Sequence, residues 1–155
     1  PHNLALYNKK GEIEFFWTKK ETGSSSMKNI QERKNINKVK CKTDTLDNFV
    51  KENKTRVDMI KCDVEGSELF VFKGSQEVLQ KDKPFIFTEM LRKWSTKFDY
   101  HPNDIIKLLT GIGYRCFAYE ENRLIEFVEI NSDTKPTNYF FLHEEKHRDV
   151  IKTVY

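Results

Sequence analysis

Glycine is scarce in this chain. Six glycines are spread over 155 residues and no GxGxxG run occurs, which excludes a glycine-rich loop cradling a dinucleotide at a helix start. Cysteine is scarcer: Cys41, Cys62 and Cys116 are odd in number, far apart and outside any CxxC pair. A disulfide framework and a zinc site are therefore not expected, and a reducing, cytoplasmic compartment is. The four histidines, His2, His101, His143 and His147, are scattered without metal-motif spacing, so no metal is expected. No run approaches the roughly 18 apolar residues of a membrane span, and no signal peptide is visible. Charge of one sign is also lacking. The net charge of +3 argues for neither a nucleic acid nor an anionic membrane as partner.

What is present suits one soluble, globular domain. Hydrophobic residues make up 37%, charged residues 33%, and there are 12 Phe, too many aromatics for a disordered segment. Residues 2–7 and 12–17 are strand-like, and "NKKG" (8–11) separates them as a hairpin-like turn. Between residues 19 and 42, eight Lys/Arg face two acids, and the expectation there is a solvated basic loop. "TLDNFVKEN" (45–53) carries one apolar helical face, with Thr43, Asp44 or Thr45 as its cap. A strand over 57–64, a helix over 67–74 closed by Gly74, a helix over 75–83 and a strand over 85–90 follow. A helix over 101–114 leads to strands at 114–119 and 123–130, joined as a hairpin around "EEN", and a last strand covers 137–144. The expected division is a strand and turn over 1–18, a basic loop over 19–42, and an α/β core with a C-terminal hairpin over 43–155.

Alternation of strand and helix favours a mostly parallel sheet covered by helices. The strands over 57–64 and 85–90 are apolar along most of their length, as strands buried on both faces are. Ligands of open α/β sheets bind at the carboxyl ends of such strands. Asp63 and Glu89 fall there. Glu65 and Glu68 lie at the following helix start, where acids suit the helix dipole. Asp63 is harder to explain structurally, because a carboxylate closing a buried strand needs partners or a ligand. Gly66 permits a positive φ or a close backbone approach. His101 is the best of the histidines as an accessory base. Trp94, Phe98 and Tyr100 form either a sugar-stacking wall or an aromatic loop packed on the core.

The segments "TLDNFV", "VDMIKCDVEGSELFVFKGSQEVL" and "KPFIFTEM" resemble the FkbM-type family of S-adenosylmethionine-dependent methyltransferases. "NLALYNKKGEIEFF", "TGSSSM", "GIGY" and "NYFFL" are similar to further pieces of the family pattern, so the resemblance covers most of residues 3–142. It implies a class I, Rossmann-like fold and methyl transfer from S-adenosylmethionine to a hydroxyl of a sugar or related small molecule. Asp63 is then the candidate for the base, or for the group holding the donor's amino end. Glu65 and Glu89 are second candidates for the base. Backbone at Ala5 and Leu6 is expected near the adenine.

The family's glycine-rich cofactor loop and its ribose-binding acid have no counterpart here. By the family strand order 3-2-1-4-5-7-6, the chain supplies strands three to seven and lacks the first two. The 57–64 strand is then expected to carry an open edge. Together with Pro1 in place of Met, this predicts an upstream continuation, a missing half from another chain, or self-association at that edge. The alternative function is a non-catalytic binding module of the same fold.

Overall fold

The computed structural model describes every residue except 19, 20, 30, 31, 33–35, 122 and 155, and describes no side chains at 18, 21–24 and 154. Two sheets share the molecule. The first contains β1 (Ala5–Leu6), β2 (Gly11–Thr18), β3 (Glu21–Ser26) and β4 (Asn37–Asp44), in the order β1-β4-β2-β3. The second contains β5 (Met59–Cys62), β6 (Phe85–Glu89), β7 (Tyr114–Glu120), β8 (Arg123–Glu126) and β9 (Asn138–His143), in the order β5-β6-β9-β7-β8. The helices are α1 (Leu46–Asn53), α2 (Glu68–Lys73), α3 (Gln76–Lys81), α4 (Arg92–Ser95), α5 (Pro102–Thr110) and α6 (Arg148–Val154). The architecture is mixed α/β, as expected, but the expected mostly parallel sheet is not found. Among the described residues only β1–β4 and β5–β6 pair in parallel, and the other five strand pairs are antiparallel, because the late strands are joined without helical crossovers.

The first sheet corrects two expectations. Residues 2–7 and 12–17 are not hairpin partners, because β4 lies between them. It runs parallel to β1 and antiparallel to β2, with pairs from Gly11↔Thr43 to Trp17↔Asn37. This seven-pair ladder outweighs any short-range turn. The expected basic loop over 19–42 likewise contains β3 and most of β4, while its residues 19, 20, 30, 31 and 33–35 lie outside the described residues. β4 forms because "KVKCKT" alternates lysines with Val39, Cys41 and Thr43, the two-residue period of a half-exposed strand. Lys38 crosses to Glu14 at 3.3 Å and lies 5.1 Å from the Phe16 ring centre.

In the second sheet β5 and β6 are parallel, β9 is antiparallel to both β6 and β7, and β8 folds back on β7. One face is fully covered. Ile60, Cys62, Ile86, Thr88, Cys116, Ala118, Tyr139 and Phe141 are buried there. Leu69 and Phe72 of α2, Leu79 of α3, and Ile105 and Leu109 of α5 complete that core. Each such apolar side chain contributes about 1.5–3 kcal/mol on burial. The other face is only partly covered. Met59 is 57% exposed, Phe87 stacks on Phe140 at 5.0 Å, and Ile151 of α6 packs with Phe117 and Leu142. β5 and β6 are therefore not buried on both faces: "MIKC" alternates too strictly for that.

Caps tie distant segments together. Thr45 accepts the Asn48 N–H at the start of α1. Asp47 accepts the N–H groups of Glu77 and Val78 at 3.1 and 2.9 Å, so the start of α3 is capped from α1. Gly74, after α2, lies against the Tyr7 backbone, where any Cβ would collide with the Tyr7 carbonyl. Among the described residues no helix is long and apolar enough to cross a membrane.

Candidate active site

β5 and β6 run side by side and end together, Cys62 opposite Thr88. The chain then leaves β5 through Asp63, Val64, Glu65 and Gly66, and leaves β6 at Glu89. The turn after β5 is unusual. Glu65 has φ 54° and Gly66 has φ 100°. Such a left-handed conformation is unfavourable for a glutamate and persists only where its surroundings fix it.

Glu68 supplies much of that fixing. Its carboxylate is buried, and its Oε1 accepts the N–H groups of Val64 and Gly66 at 3.1 and 3.0 Å. Tyr100 donates its hydroxyl to Oε2 at 3.1 Å. Glu68 thus staples the strand-to-helix turn, a more specific task than favouring a helix dipole. Burial pushes its carboxyl pKa up, and the hydrogen bonds from Gly66, Val64 and Tyr100 offset this only in part. On the other side, the buried Ser26 at the end of β3 donates to the Glu65 carbonyl at 3.1 Å. Gly66 is obligatory: a Cβ there would sit 2.8 Å from the Trp94 carbonyl oxygen.

Three acids are left with carboxylates not committed to the turn. Asp63 is partly exposed and lies 3.4 Å from the Lys61 ammonium. Glu65 is half-buried, and its pKa is raised first by burial and then by Glu89, Asp63 and Glu68. Glu89 is raised first by burial, then by Asp63 and Glu68, with Lys93 and Lys61 acting in the opposite sense. Asp63, Glu65 and Glu89 therefore share one electrostatic neighbourhood. A carboxylate with a raised pKa accepts a proton more readily near neutral pH, and an acidic cluster attracts a cationic group. Among the described residues no three or more His, Cys, Asp or Glu side chains form a metal-binding group.

A family model described as the methyltransferase FkbM domain matches residues 1–116. The chain belongs to the FkbM methyltransferase family. No curated protein and no solved structure is a significant match to it. The stretch matched in this FkbM chain contains the ends of β5 and β6, all four acids and the Ser26 contact.

Other candidates fall outside the acidic cluster. Ala5 and Leu6 lie in the first sheet, paired with Thr43 and Asp44, and Leu6 packs on the core. His101 is engaged as a cap: its Nδ1 accepts the Asn103 N–H at 3.2 Å, and Asp104 accepts the His101 N–H. Of the aromatic run, Phe98 is buried and Tyr100 is tied to Glu68 and packed on Phe70 at 6.2 Å. The half-buried Trp94 carries the Lys93 ammonium 4.3 Å from its ring centre. Ser26 was not anticipated as part of the site. Its signal was the "TGSSSM" piece of the family pattern, inside the basic stretch.

Proposed function

We propose that this FkbM chain is part of an S-adenosylmethionine-dependent O-methyltransferase whose acceptor is a hydroxyl of a sugar or related small molecule. The observation that carries the reading is the convergence of Asp63, Glu65 and Glu89 at the ends of two parallel strands, with Glu65 and Glu89 raised in pKa. When bound, S-adenosylmethionine supplies an electrophilic methyl group on a cationic sulfur. The acids fit the cationic end of that donor, its amino group above all, while no glycine-rich loop of this chain fits its adenosine end. Asp63, the most accessible of the three, holds the donor's amino group or takes the proton of the acceptor hydroxyl. Glu65 and Glu89 are the alternative bases. The Trp94 ring carries Lys93, whose charge acts on Glu65 and Glu89. Ala5 and Leu6 remain assigned to the adenine side on family resemblance alone.

The order β5-β6-β9-β7 supports reading these strands as the fourth, fifth, seventh and sixth of a class I sheet. β5 and β1 are each the outermost strand of their sheet. We assign their open edges to the two strands that the class I order places between them, or to a second copy of the chain. The three free cysteines support a reducing, cytoplasmic setting.

A binding module without catalysis is the second reading, favoured by a sequence with six scattered glycines and no glycine-rich run. Calorimetric titration with S-adenosylmethionine and a methylation assay over neutral and charged sugars separate the two. Asp63→Asn should lower turnover by at least ~100-fold if Asp63 is the base, since general bases contribute about 10²–10⁴-fold. Turnover unchanged in that variant removes Asp63 from both roles.

A further inference from the structure

The acidic end of β5 and β6 has a neighbour of opposite sign. A cleft of about 380 Å³ opens one residue beyond Glu89, between Met90–Thr96 and the 130–137 connection that leads into β9. Its size lies within the range of small-molecule sites. It adjoins the candidate site along the chain, since Met90 follows Glu89 and Thr137 precedes Asn138, the β9 partner of Glu89, although the acids themselves do not line it. Arg92, Lys93 and Lys135 line it, and no carboxylate does.

Some cations of the chain are paired with acids, and those of the cleft belong, with other surface lysines, to the unpaired ones. Lys10, Lys38, Lys61, Lys83, Lys97, Arg115 and Lys146 each have an acid within 4 Å. Among the described residues Arg92, Lys93 and Lys135 have none. Lys93 instead lies over Trp94 and acts electrostatically on Glu65 and Glu89. The loop carrying Lys135 is set by an Asn131–Thr134 pair, with Asn131 N–H to Thr134 Oγ1 at 2.9 Å and Thr134 Oγ1 to Asn131 Oδ1 at 3.2 Å. Like charges exposed around one recess repel weakly through water, and an anion bound among them relieves that repulsion.

We propose that this cleft binds an anionic group, such as a phosphate or carboxylate, carried by the sugar-like acceptor, with Arg92, Lys93 and Lys135 as its specificity-determining residues. The acceptor would then lie across both halves of the site, its anion among the three cations and its hydroxyl toward the acids. The acceptor's role rests on the methyltransferase reading; the anion site rests on the cleft itself.

The test is an NMR titration of the ¹⁵N-labelled protein with glucose 6-phosphate, glucose and inorganic phosphate, without methyl donor. Glucose 6-phosphate should shift amides of residues 90–96 and 130–137 at concentrations at least ~10-fold below those needed for glucose. Arg92→Glu and Lys135→Glu should each weaken it about 5-fold, the upper end for an exposed ion pair. Both side chains are exposed, so the folded spectrum should persist. Equal binding of glucose, shifts elsewhere, or indifference to both charge reversals would overturn the proposal. Inorganic phosphate binding as tightly as the sugar phosphate reduces the cleft to an anion site and overturns the acceptor assignment. Sugar-phosphate binding without methylation of any sugar sinks the enzyme reading alone. Methylation of neutral sugars without sugar-phosphate binding sinks the cleft alone.

Discussion

Replacing Glu68 tests whether one buried carboxylate holds the turn after β5. In Glu68→Ala the N–H groups of Val64 and Gly66 and the hydroxyl of Tyr100 lose their acceptor. Hydrogen bonds to charged groups contribute about 1.5–3 kcal/mol each, and a buried group left unpaired costs about 1–3 kcal/mol. Some of these groups can turn to water, so the net loss should be about 3–5 kcal/mol, or about 10 °C in Tm for a chain of this size. Glu68→Gln keeps an oxygen for the two N–H groups and presents an amide that Tyr100 can accept from. It should cost about 1 kcal/mol or less near neutral pH, because losing the charge also removes its desolvation cost. Tyr100→Phe should cost about 1 kcal/mol, and that cost should vanish in the Glu68→Ala background, since the two groups share one interaction. Urea and thermal unfolding of the four variants measure all of this. A Glu68→Ala loss under ~1 kcal/mol, or a Gln variant as damaged as the Ala variant, would refute the stapling role.

Other outcomes follow from the same structure. Gly66→Ala should lose about 2–4 kcal/mol in urea unfolding, since it adds strain at positive φ to a clash with the Trp94 carbonyl; a change under ~1 kcal/mol would show that the turn relaxes freely. The acids should act on stability in opposite senses. Glu126 is held below the usual carboxylate range, chiefly by its hydrogen bond from Arg115, and Asp44 chiefly by Asn48. Their stabilisation is present above the ordinary carboxylate pKa and is lost as pH falls through the lowered value. Glu65, Glu68 and Glu89 have raised values, so their contribution is full below the ordinary pKa and fades as pH rises through the folded one. Glu126→Gln should therefore flatten the acid side of a Tm-against-pH curve, and Glu68→Gln should gain on the parent as pH rises from about 4.5; the reverse slopes would contradict the assigned environments. In a native thiol titration Cys41 should react first. Cys62 and Cys116 are buried, with thiols pushed up by burial, and should react only on unfolding; early modification of either would mean an open core.

Much of the core was readable because its signals are local. Thr45 announces α1, Gly74 ends α2, and the apolar period of "DIIKLL" sets α5. The acids at the ends of β5 and β6 were readable because two apolar runs each stop at a carboxylate. What escaped depends on partners far away. The strand character of "KVKCKT" is present as an alternation, but its lysines suit a solvated loop equally well, and its place between β1 and β2 rests on a ladder formed across the chain. Asp47 looks like an ordinary first-turn acid of α1, yet its acceptors serve α3. Glu68 looks like a helix-start acid until the buried turn behind it and Tyr100 are in place. The cleft lined by Arg92, Lys93 and Lys135 joins segments about 40 residues apart, and no spacing in the sequence marks it.

The placement of β9 has a consequence in time. β6 lies inside the second sheet, with β5 on one side and β9 on the other. During synthesis β5 and the two helices after it emerge before β6, but β9 follows about fifty residues later. At roughly 5–20 residues per second, β6 waits about 2–10 s with its Phe85–Glu89 edge bare. Through that interval Ile86, Phe87 and Thr88 present an unpaired, β-prone backbone to whatever is nearby. The nascent chain is most vulnerable to mispairing, and most in need of a chaperone, between the emergence of β6 and the arrival of the strand that closes it.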